Sequence, residues 1–278
     1  MVWIRSEKGC SPAERRGFHG NDNLGGNDGR SRISRDASGS RRGSSLLITA
    51  YWSFIHSLLE VKVAGLKRAI ITGGRGSLGS AISAKFRSEG WEVVCPGRED
   101  LDLADAGAVA QYFAVESCDL LVCAAGIVRD QPVSRMLESE WDDVLGVNFS
   151  AAARCAEAAL PGMTVRGAGH VVFISSYAAV HPAVGQAAYA TAKAALLGLT
   201  KGLAAEYGGA GVRVNAILPG FLETPMTEAV SPKRKEVVRN LHMLGEFNTV
   251  DAAADFIWFL EERMPFTSGQ SFSLDSRL

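Results

Sequence analysis

The chain has 278 residues, of which 47% are hydrophobic, and its formal net charge is -1. This length and composition allow one large hydrophobic core or two smaller domains. The near-neutral charge argues against nucleic acid as a partner, because proteins that neutralise many phosphates carry a basic surface.

The first segment, residues 1–45, contains eight Gly, eight Ser and nine Lys or Arg. A segment with so few apolar residues cannot bury enough surface to offset the entropy lost on ordering, so we predict a disordered tail. A transit peptide is also rich in Arg and Ser, but the five acidic residues of this segment are untypical of one. A solvated tail, or an upstream start codon wrongly chosen, is the simpler interpretation.

An apolar run of fourteen residues, Leu46 to Leu59, follows this tail. A helix that spans a membrane needs about twenty apolar residues, so we predict no membrane span and no membrane partner. We interpret residues 46–65 as an apolar leader or an added helix, and residues 66–278 as the main domain.

The cysteine and histidine patterns give no sign of a metal site. The five cysteines form no Cys-x-x-Cys pair and lie mostly in apolar segments, so we expect reduced thiols in a cytoplasmic protein. The five histidines show no His-x-x-x-His spacing and no neighbouring thiol pair. We therefore predict that no metal is bound.

From Lys67 onward, short apolar runs alternate with segments of helical periodicity. The pattern predicts strands at Arg68–Thr72, Trp91–Cys95, Asp119–Cys123, His170–Ser175, Val212–Leu218 and Gln270–Leu274. It predicts helices at Ser77–Glu89, Asp105–Ser117, Glu138–Leu160, Tyr189–Tyr207 and Val250–Glu262. Apolar strands separated by helices imply an α/β fold: one doubly wound parallel sheet that binds ligands at the carboxyl ends of its strands.

A glycine-rich turn lies between the first predicted strand and the first predicted helix. Its glycines permit a tight turn and a close backbone approach, and the helix N-terminus offers unpaired N–H groups to a pyrophosphate. This context predicts a dinucleotide site at Thr72, Gly73, Arg75, Gly76, Ser77, Leu78 and Gly79.

A second motif, Tyr189-Ala-Thr-Ala-Lys193, lies on a predicted helix. Positions four apart share a helix face, so we expect Lys193 to lie beside Tyr189 and to lower the pKa of the phenol from about 10 toward neutrality. Such a phenol can deliver the proton that carbonyl reduction requires. Ser176, thirteen residues before Tyr189, directly follows the predicted strand His170–Ser175.

Together these motifs resemble those of the short-chain dehydrogenase/reductases, and the resemblance covers residues 66–278. It implies a single Rossmann-type catalytic domain that passes hydride between a nicotinamide cofactor and a carbonyl or alcohol. Ser77 stands where classical members usually carry glycine, and the spacing of Gly73, Gly76 and Gly79 fits the extended branch, whereas the rest of the chain looks classical.

The resemblance assigns further roles near the reacting atoms. It implies that Ser176 hydrogen bonds the substrate oxygen, with Ser175 as the alternative and Tyr177 as a bystander. It also implies that Asn148 holds a water linking Lys193 to solvent.

The resemblance extends the cofactor site to two further loops. Cys123 ends what the family counts as its fourth strand and replaces an asparagine, which predicts a softened turn at Ala124, Ala125 and Gly126. The segment that begins at Asn215 implies nicotinamide and pyrophosphate contacts from Pro219, Gly220 and Thr224.

Cofactor choice depends on the end of the second strand, where an acidic residue would bind the ribose of NAD. Gly97 and Arg98 stand there, and Arg98 with Arg75 could clamp a 2'-phosphate, which favours NADP(H). Two solvated surface arginines are the alternative, and Glu99 and Asp100 leave NAD open. The resemblance places Asp102 and Leu103 near the adenine.

For the substrate, Ile127–Asp130, Arg135–Trp141, Leu244–Phe247 and Ser268–Gln270 are similar to segments of 3-oxoacyl-[acyl-carrier-protein] reductases. This implies reduction of a 3-oxoacyl thioester in fatty acid biosynthesis by a homotetramer or homodimer. Arg129 and Arg166 would contact the carrier protein, unless they are plain surface charges. Glu246 and the ending Leu274–Leu278 depart from that pattern.

Two other functions stay open at this point. The segment Leu222–Phe247 corresponds to the lid that sets specificity in this family, so another ketone, a secondary alcohol or a sugar precursor is the alternative substrate. A non-catalytic NADPH-sensing protein is the other candidate, although such proteins typically lose the tyrosine or the lysine.

Overall fold

The structure is a computed structural model that describes residues 65–277. The expectations for the tail and for the apolar leader or added helix lie outside the described residues. Within residues 65–277, no helix is both long and apolar enough to cross a membrane.

One sheet of six parallel strands organises the described chain, in the order β2-β1-β3-β4-β5-β6. The strands are β1 (Arg68–Thr72), β2 (Glu92–Val94), β3 (Leu120–Cys123), β4 (Gly169–Ile174), β5 (Val212–Leu218) and β6 (Ser271–Ser273). The chain moves from β1 to β2 on one side and then crosses back to β3 on the other. This reversal opens a crevice beyond the carboxyl ends of β1 and β3, where open α/β sheets bind ligands.

Helices cover both faces of the sheet, so the predicted doubly wound α/β fold is confirmed. They are α1 (Ser77–Ser88), α2 (Ala106–Val115), α3 (Glu138–Leu145), α4 (Ala151–Arg166), α5 (Ala187–Tyr207), α6 (Pro232–Asn240) and α7 (Val250–Arg263). A π-turn at Gly146–Ser150 joins α3 to α4, so the predicted helix Glu138–Leu160 is interrupted there and extends further, to Arg166.

The helix α6 was not predicted from the sequence. Its start nevertheless carries a clear signal, because Ser231 caps the helix by accepting a hydrogen bond from Arg234 N and Pro232 occupies the first turn. The helix is strongly polar, and its Val238 is buried. Apolar periodicity is therefore weak in this segment, and the cap is the better indicator.

Burial on both faces explains why the strands lack a polar alternation. Successive side chains of a strand point to opposite faces, so Ile70 packs in the core beneath α4 and α5, whereas Ala69 and Ile71 pack beneath α1 and α7. On α7, Ile257 is fully buried against this second face. The inner strands β1, β3 and β4 are therefore mainly apolar along their length.

Residues 95–105 form turns and contain neither helix nor strand. Cys123 consequently ends the third strand of this sheet, not a fourth, and β2 is an edge strand. Leu101 still packs in the core at 4% exposure, and Asp105 caps α2 by accepting hydrogen bonds from the N–H groups of Gly107 and Ala108. Residues 95–105 are thus held to the core by Leu101 and lead directly into α2.

Asn215 lies in the middle of β5 and not in the loop that follows this strand. Its Nδ2 lies 3.0 Å from His170 Nε2 and donates to Thr267 O at 2.9 Å. Because the amide donates to Nε2, the other ring nitrogen, Nδ1, carries the proton and donates to Glu261 at 2.8 Å. Asn215 therefore ties β5 to β4 and to the segment before β6.

Glu261 completes this buried network by pairing with the guanidinium of Arg213. Burial raises the pKa of Glu261, but the hydrogen bond from His170 and the neighbouring Arg213 outweigh it, so the net shift is downward. Burial is also the main cause of the lowered pKa of His170. The carboxylate is therefore charged and the imidazole neutral at pH 7.

The substitution Glu261→Ala tests this network. It leaves Arg213 without its carboxylate and His170 without its acceptor, so we expect the free energy of unfolding to fall by about 3 kcal/mol. Chemical denaturation measures the loss. The matched control is Glu262→Ala, which removes a partly exposed pair with Lys67 and should cost less than about 1 kcal/mol. Equal losses in the two variants would contradict the network.

Candidate active site

A cleft of about 1440 Å³ opens beyond the carboxyl ends of the central strands. The loops after β1, β3, β4 and β5 all reach it. Most of the sequence-predicted site residues line it: Gly73, Arg75, Gly76, Ser77, Leu78, Gly79, Ala124, Ala125, Gly126, Ser176, Tyr189, Lys193, Pro219, Gly220 and Thr224. The motifs that the sequence analysis found separately therefore share one cavity.

The glycine-rich turn is packed so tightly that side chains are excluded at two positions. Gly73 has φ +67°, and a Cβ there would lie 2.6 Å from Ala125 N. A Cβ at Gly79 would lie 2.3 Å from Gly73 O. These contacts bring the turn against the loop after β3 and start α1 directly beneath it.

The N-terminus of α1 suits an anionic group. Gly76 caps the helix without a side-chain hydrogen bond, so no capping side chain occupies the N–H groups of the first turn. Those groups and the helix dipole favour a phosphate. The residues present therefore fit the pyrophosphate of a dinucleotide, and Thr72 supports the turn from the end of β1, where its carbonyl accepts a hydrogen bond from Ala124 N at 3.1 Å.

The loop after β3 is held by Asn148, which lies in the π-turn and is 1% exposed. Its Nδ2 donates to the carbonyl oxygens of Ile127 and Val144, both at 2.9 Å, and its Oδ1 accepts from Ile127 N at 3.2 Å. A Cβ at Gly126 would lie 2.8 Å from Asn148 Oδ1 and 3.6 Å from Lys193 Nζ. Asn148 thus lies next to the lysine, and its role in proton supply stays a prediction.

Cys123 takes no part in bridging this loop. Its thiol is buried and contacts Ala152 O at 3.8 Å, and burial raises its pKa well above the ordinary value. It therefore behaves as a small core residue that faces α4.

Ser176, Tyr189 and Lys193 lie together at the base of the cleft. The side chains of Ser176 and Tyr189 are hydrogen bonded. Lys193 lies one turn further along α5, where its Nζ is 5.7 Å from the centre of the Tyr189 ring and donates to Ile174 O at 2.9 Å. The alternative serine, Ser175, donates instead to Lys193 O at 2.8 Å, which leaves Ser176 as the hydroxyl next to the phenol.

The expected lowering of the tyrosine pKa is wrong for this arrangement. Burial raises the pKa of Tyr189, Asp130 raises it further, and the hydrogen bond from Ser176 offsets only part of the effect. Lys193 is 4% exposed, and burial lowers its own pKa to about 8. At neutral pH the phenol is therefore protonated, the state needed to donate a proton.

Of the two arginines predicted to form a phosphate clamp, only Arg75 lies over Gly97, just after β2. A Cβ on Gly97 would lie 2.5 Å from the Arg75 guanidinium carbon, and Arg75 Nη1 contacts Glu99 Oε1 at 2.5 Å. A backbone hydrogen bond and Arg75 lower the pKa of Glu99. Arg98 is outside the cleft lining, with its side chain 86% exposed and 3.9 Å from Asp102.

Two further residues, Asp102 and Leu103, are predicted to lie near the adenine. Asp102 accepts a hydrogen bond from Ala104 N at 3.0 Å, and Leu103 packs against the core. Neither lines the cleft. Their contact with the adenine stays a prediction.

The two arginines expected at a carrier protein differ in position. Arg129 is exposed beside Val128, which lines the cleft. Arg166 instead donates to Cys118 O at 2.5 Å, just before β3 begins, so it lies at the amino ends of the strands. Arg166 is therefore wrongly placed for a contact at the cleft.

Sequence reasoning missed several polar residues of the cleft: Asp130, His181, Gln186, Arg234 and Arg277. Tyr177, interpreted as a bystander, stacks on His181 and lies under the Arg277 guanidinium. The one available signal was the unusual ending after Leu274, which brings Arg277 to the cleft.

Comparison with known proteins decides the family. A family model described as enoyl-(acyl carrier protein) reductase matches residues 99–276. The 3-oxoacyl-[acyl-carrier-protein] reductase FabG of Thermotoga maritima is 32% identical over 239 residues, which cover 76% of this chain and 97% of the relative. The chain belongs to the short-chain dehydrogenase/reductase family. Like its relatives, this short-chain dehydrogenase/reductase is an NAD(P)-dependent oxidoreductase.

Two solved structures share the fold. An oxidoreductase of the same family from Burkholderia thailandensis has a TM-score of 0.70 and 30% identity, covering 77% of this chain and 92% of its own. A candidate NAD(P)-dependent gluconate 5-dehydrogenase from Beutenbergia cavernae, with bound NADP at low occupancy, has a TM-score of 0.73 and 29% identity, covering 77% and 96%.

The buried Lys193 makes a prediction about stability. Below pH 8 the folded protein carries the full cost of burying the charge, so Lys193→Met should raise the free energy of unfolding at pH 7 by about 2 kcal/mol, after allowance for the lost bond to Ile174. Between about pH 8 and 10.5 the folded state loses its proton before the unfolded state does. The parent is stabilised across that window, and the advantage of the variant shrinks.

Urea denaturation of both proteins at several pH values checks this prediction. Two results would contradict it: a Lys193→Met variant that is less stable than the parent at pH 7, or a stability gain of the variant that grows as the pH rises. Either would show that burying the charged lysine does not destabilise the fold.

Proposed function

We propose that the protein is an NADPH-dependent carbonyl reductase that acts on a 3-oxoacyl thioester. The observation that carries the proposal is the hydrogen-bonded pair of Ser176 and Tyr189 beside the buried Lys193, in the same cleft as the glycine-rich turn. When bound, the nicotinamide group supplies the hydride.

In this proposal the side chains of the protein bind the carbonyl oxygen and protonate it. Ser176 donates a hydrogen bond to that oxygen and fixes its position next to Tyr189. Tyr189 donates its proton as negative charge develops on the oxygen. Lys193, within the same group, stabilises the phenolate that remains.

Support for an acyl substrate comes from the apolar residues around the cleft. Exposed large hydrophobic side chains of the described chain include Val180, Val184, Met226 and Leu241, all of which line this cavity. Apolar surface at a cavity mouth is typical of a ligand site. An acyl chain would bury it, and Arg129 beside the mouth is the remaining candidate contact for an acidic carrier protein.

The polar residues of the same cleft favour one other candidate. Asp130, Gln186 and Arg234 offer hydrogen bonds that an acyl chain would not use. A hydroxylated ketone or a sugar precursor is therefore the second candidate substrate, consistent with the description of the Beutenbergia structure.

The preference for NADPH rests on Arg75, which lies over Gly97 where an acidic residue would select NAD. A 2'-phosphate at that place would compete with Glu99 for the guanidinium. Arg98 is too exposed to contribute comparably. A cytoplasmic location and a homo-oligomer remain part of the proposal by resemblance to the family.

The substitution Arg75→Gln tests the cofactor proposal. Loss of a charge-assisted contact to phosphate should raise the KM for NADPH by about 10- to 100-fold and leave the KM for NADH within about threefold. Arg98→Gln is the matched control and should change either value by less than about threefold. Steady-state kinetics with both cofactors measures the effect; equal changes for NADPH and NADH in Arg75→Gln would overturn the preference.

The substitution Tyr189→Phe tests the reaction. It removes only the hydroxyl that donates the proton, so turnover of acetoacetyl thioesters should fall by at least about 100-fold while NADPH still binds. NADPH absorbance and fluorescence titration provide the two readouts. A parent that reduces simple ketones, hydroxylated ketones or 2-enoyl thioesters but no 3-oxoacyl thioester would contradict the substrate assignment. A parent that binds NADPH and is inactive on all of them would support a sensor.

A further inference from the structure

Arg277 reaches the cleft from the segment that follows β6. Its guanidinium carbon lies 3.6 Å from the centre of the Tyr177 ring, and Tyr177 directly follows Ser176. The Arg277 side chain is 10% exposed and belongs to the cleft lining. A largely buried charged group is therefore held in the cleft, against the residue that follows Ser176.

An ion pair fixes the position of this guanidinium. The Asp275 side chain is fully buried, and its Oδ2 accepts from Arg277 Nε at 2.9 Å and from Nη2 at 2.5 Å. The Asp275 side chain packs on Gly220, where a Cβ would lie 2.6 Å from the Asp275 Cβ. His242 Nε2 lies 3.9 Å from the same carboxylate. The pair thus bridges the loop after β5 and the loop after β4.

One edge of the guanidinium is left for a ligand. Nε and Nη2 donate to Asp275, whereas Nη1 makes no hydrogen bond within residues 65–277. A planar guanidinium offers donors on both edges, and because Arg277 lines the cleft, Nη1 is available to a ligand bound there. An oxygen of the bound substrate would satisfy it.

The charge balance indicates which kind of oxygen this is. Arg277 and Asp275 together are neutral, so a neutral acceptor can use Nη1 without adding charge. A second carboxylate would place another negative charge close to the buried Asp275 in a medium that screens poorly. The pair therefore suits an ester, thioester or hydroxyl oxygen better than an anion.

We propose that Arg277 is a specificity residue that donates from Nη1 to a neutral oxygen of the substrate outside the reacting carbonyl. This inference rests on the proposed function and deepens it: in a 3-oxoacyl thioester the acceptor is the thioester oxygen. Arg277 then distinguishes oxygenated substrates from simple ketones, while Ser176 and Tyr189 act on the carbonyl in both.

The test measures kcat/KM of the parent and of Arg277→Met for two kinds of ketone, one with a second oxygen and one without. We expect kcat/KM for acetoacetyl-CoA to fall by about 10- to 100-fold and that for an acyclic ketone of similar size to change by less than about threefold. Free acetoacetate should be a poorer substrate than the thioester for the parent. Arg263→Met, on an exposed arginine at the end of α7, is the matched control and should change neither value.

Because Arg277→Met leaves Asp275 buried without its partner and could unfold the protein, the double variant Asp275→Asn with Arg277→Met is measured as well. It should show the same selective loss. Equal loss on both classes of ketone, or no loss on either, overturns the role of Arg277.

The same panel separates this inference from the proposed function. A parent that reduces hydroxylated ketones but no 3-oxoacyl thioester, with a selective loss in both variants, contradicts the thioester proposal and supports Arg277. A parent that reduces thioesters, with no selective loss in either variant, contradicts only Arg277. A parent that reduces only ketones without a second oxygen contradicts both.

Discussion

Parallel pairing of β1, β3, β4 and β5 is the constraint on which the rest of the structure depends. It brings loops that are far apart in sequence to one edge of one sheet. Gly73 packs closely against Ala125, and Ser176 and Tyr189 line the same cleft. The register of the strands therefore sets the relative positions of the loops that line the cleft. A shift of one strand would move the glycine-rich turn away from Ser176 and Tyr189.

Burying the charged side chain of Lys193 in this site costs folding free energy. Burial disfavours its charge, and the bond to the Ile174 carbonyl offsets only part of that penalty. A position chosen for stability alone would carry an apolar side chain. The neighbouring polar side chains of Asn148 and Ser175 each donate hydrogen bonds to backbone carbonyl oxygens. These hydrogen bonds hold the loops around Lys193 in place, so that a charged lysine stays beside a protonated phenol.

The sequence predicted those features that local chemistry specifies. Continuous apolar strands, the glycine-rich turn and the four-residue spacing of Tyr189 and Lys193 each follow from backbone geometry, and their convergence follows from parallel topology. The sequence could not indicate that burial would dominate the pKa of Tyr189, because that depends on packing from several elements. It also could not indicate that residues 95–105, which carry Asp102 and Leu103, contain neither helix nor strand.

Arg277 illustrates the remaining limit of sequence reasoning. Its departure from the family ending was visible, but its partners Asp275 and Tyr177 come together only through the fold. Arg75 and Arg98 looked equivalent as neighbours of Gly97, and only the structure separates the one that covers this glycine from the one that points to solvent.

The most direct measurement of the central claim is a crystal structure of the protein with NADPH bound. The account predicts the pyrophosphate against the first turn of α1, the 2'-phosphate at Arg75, and the nicotinamide ring next to the hydroxyls of Tyr189 and Ser176. A cofactor bound outside this cleft, or a nicotinamide ring remote from those two hydroxyls, would contradict it.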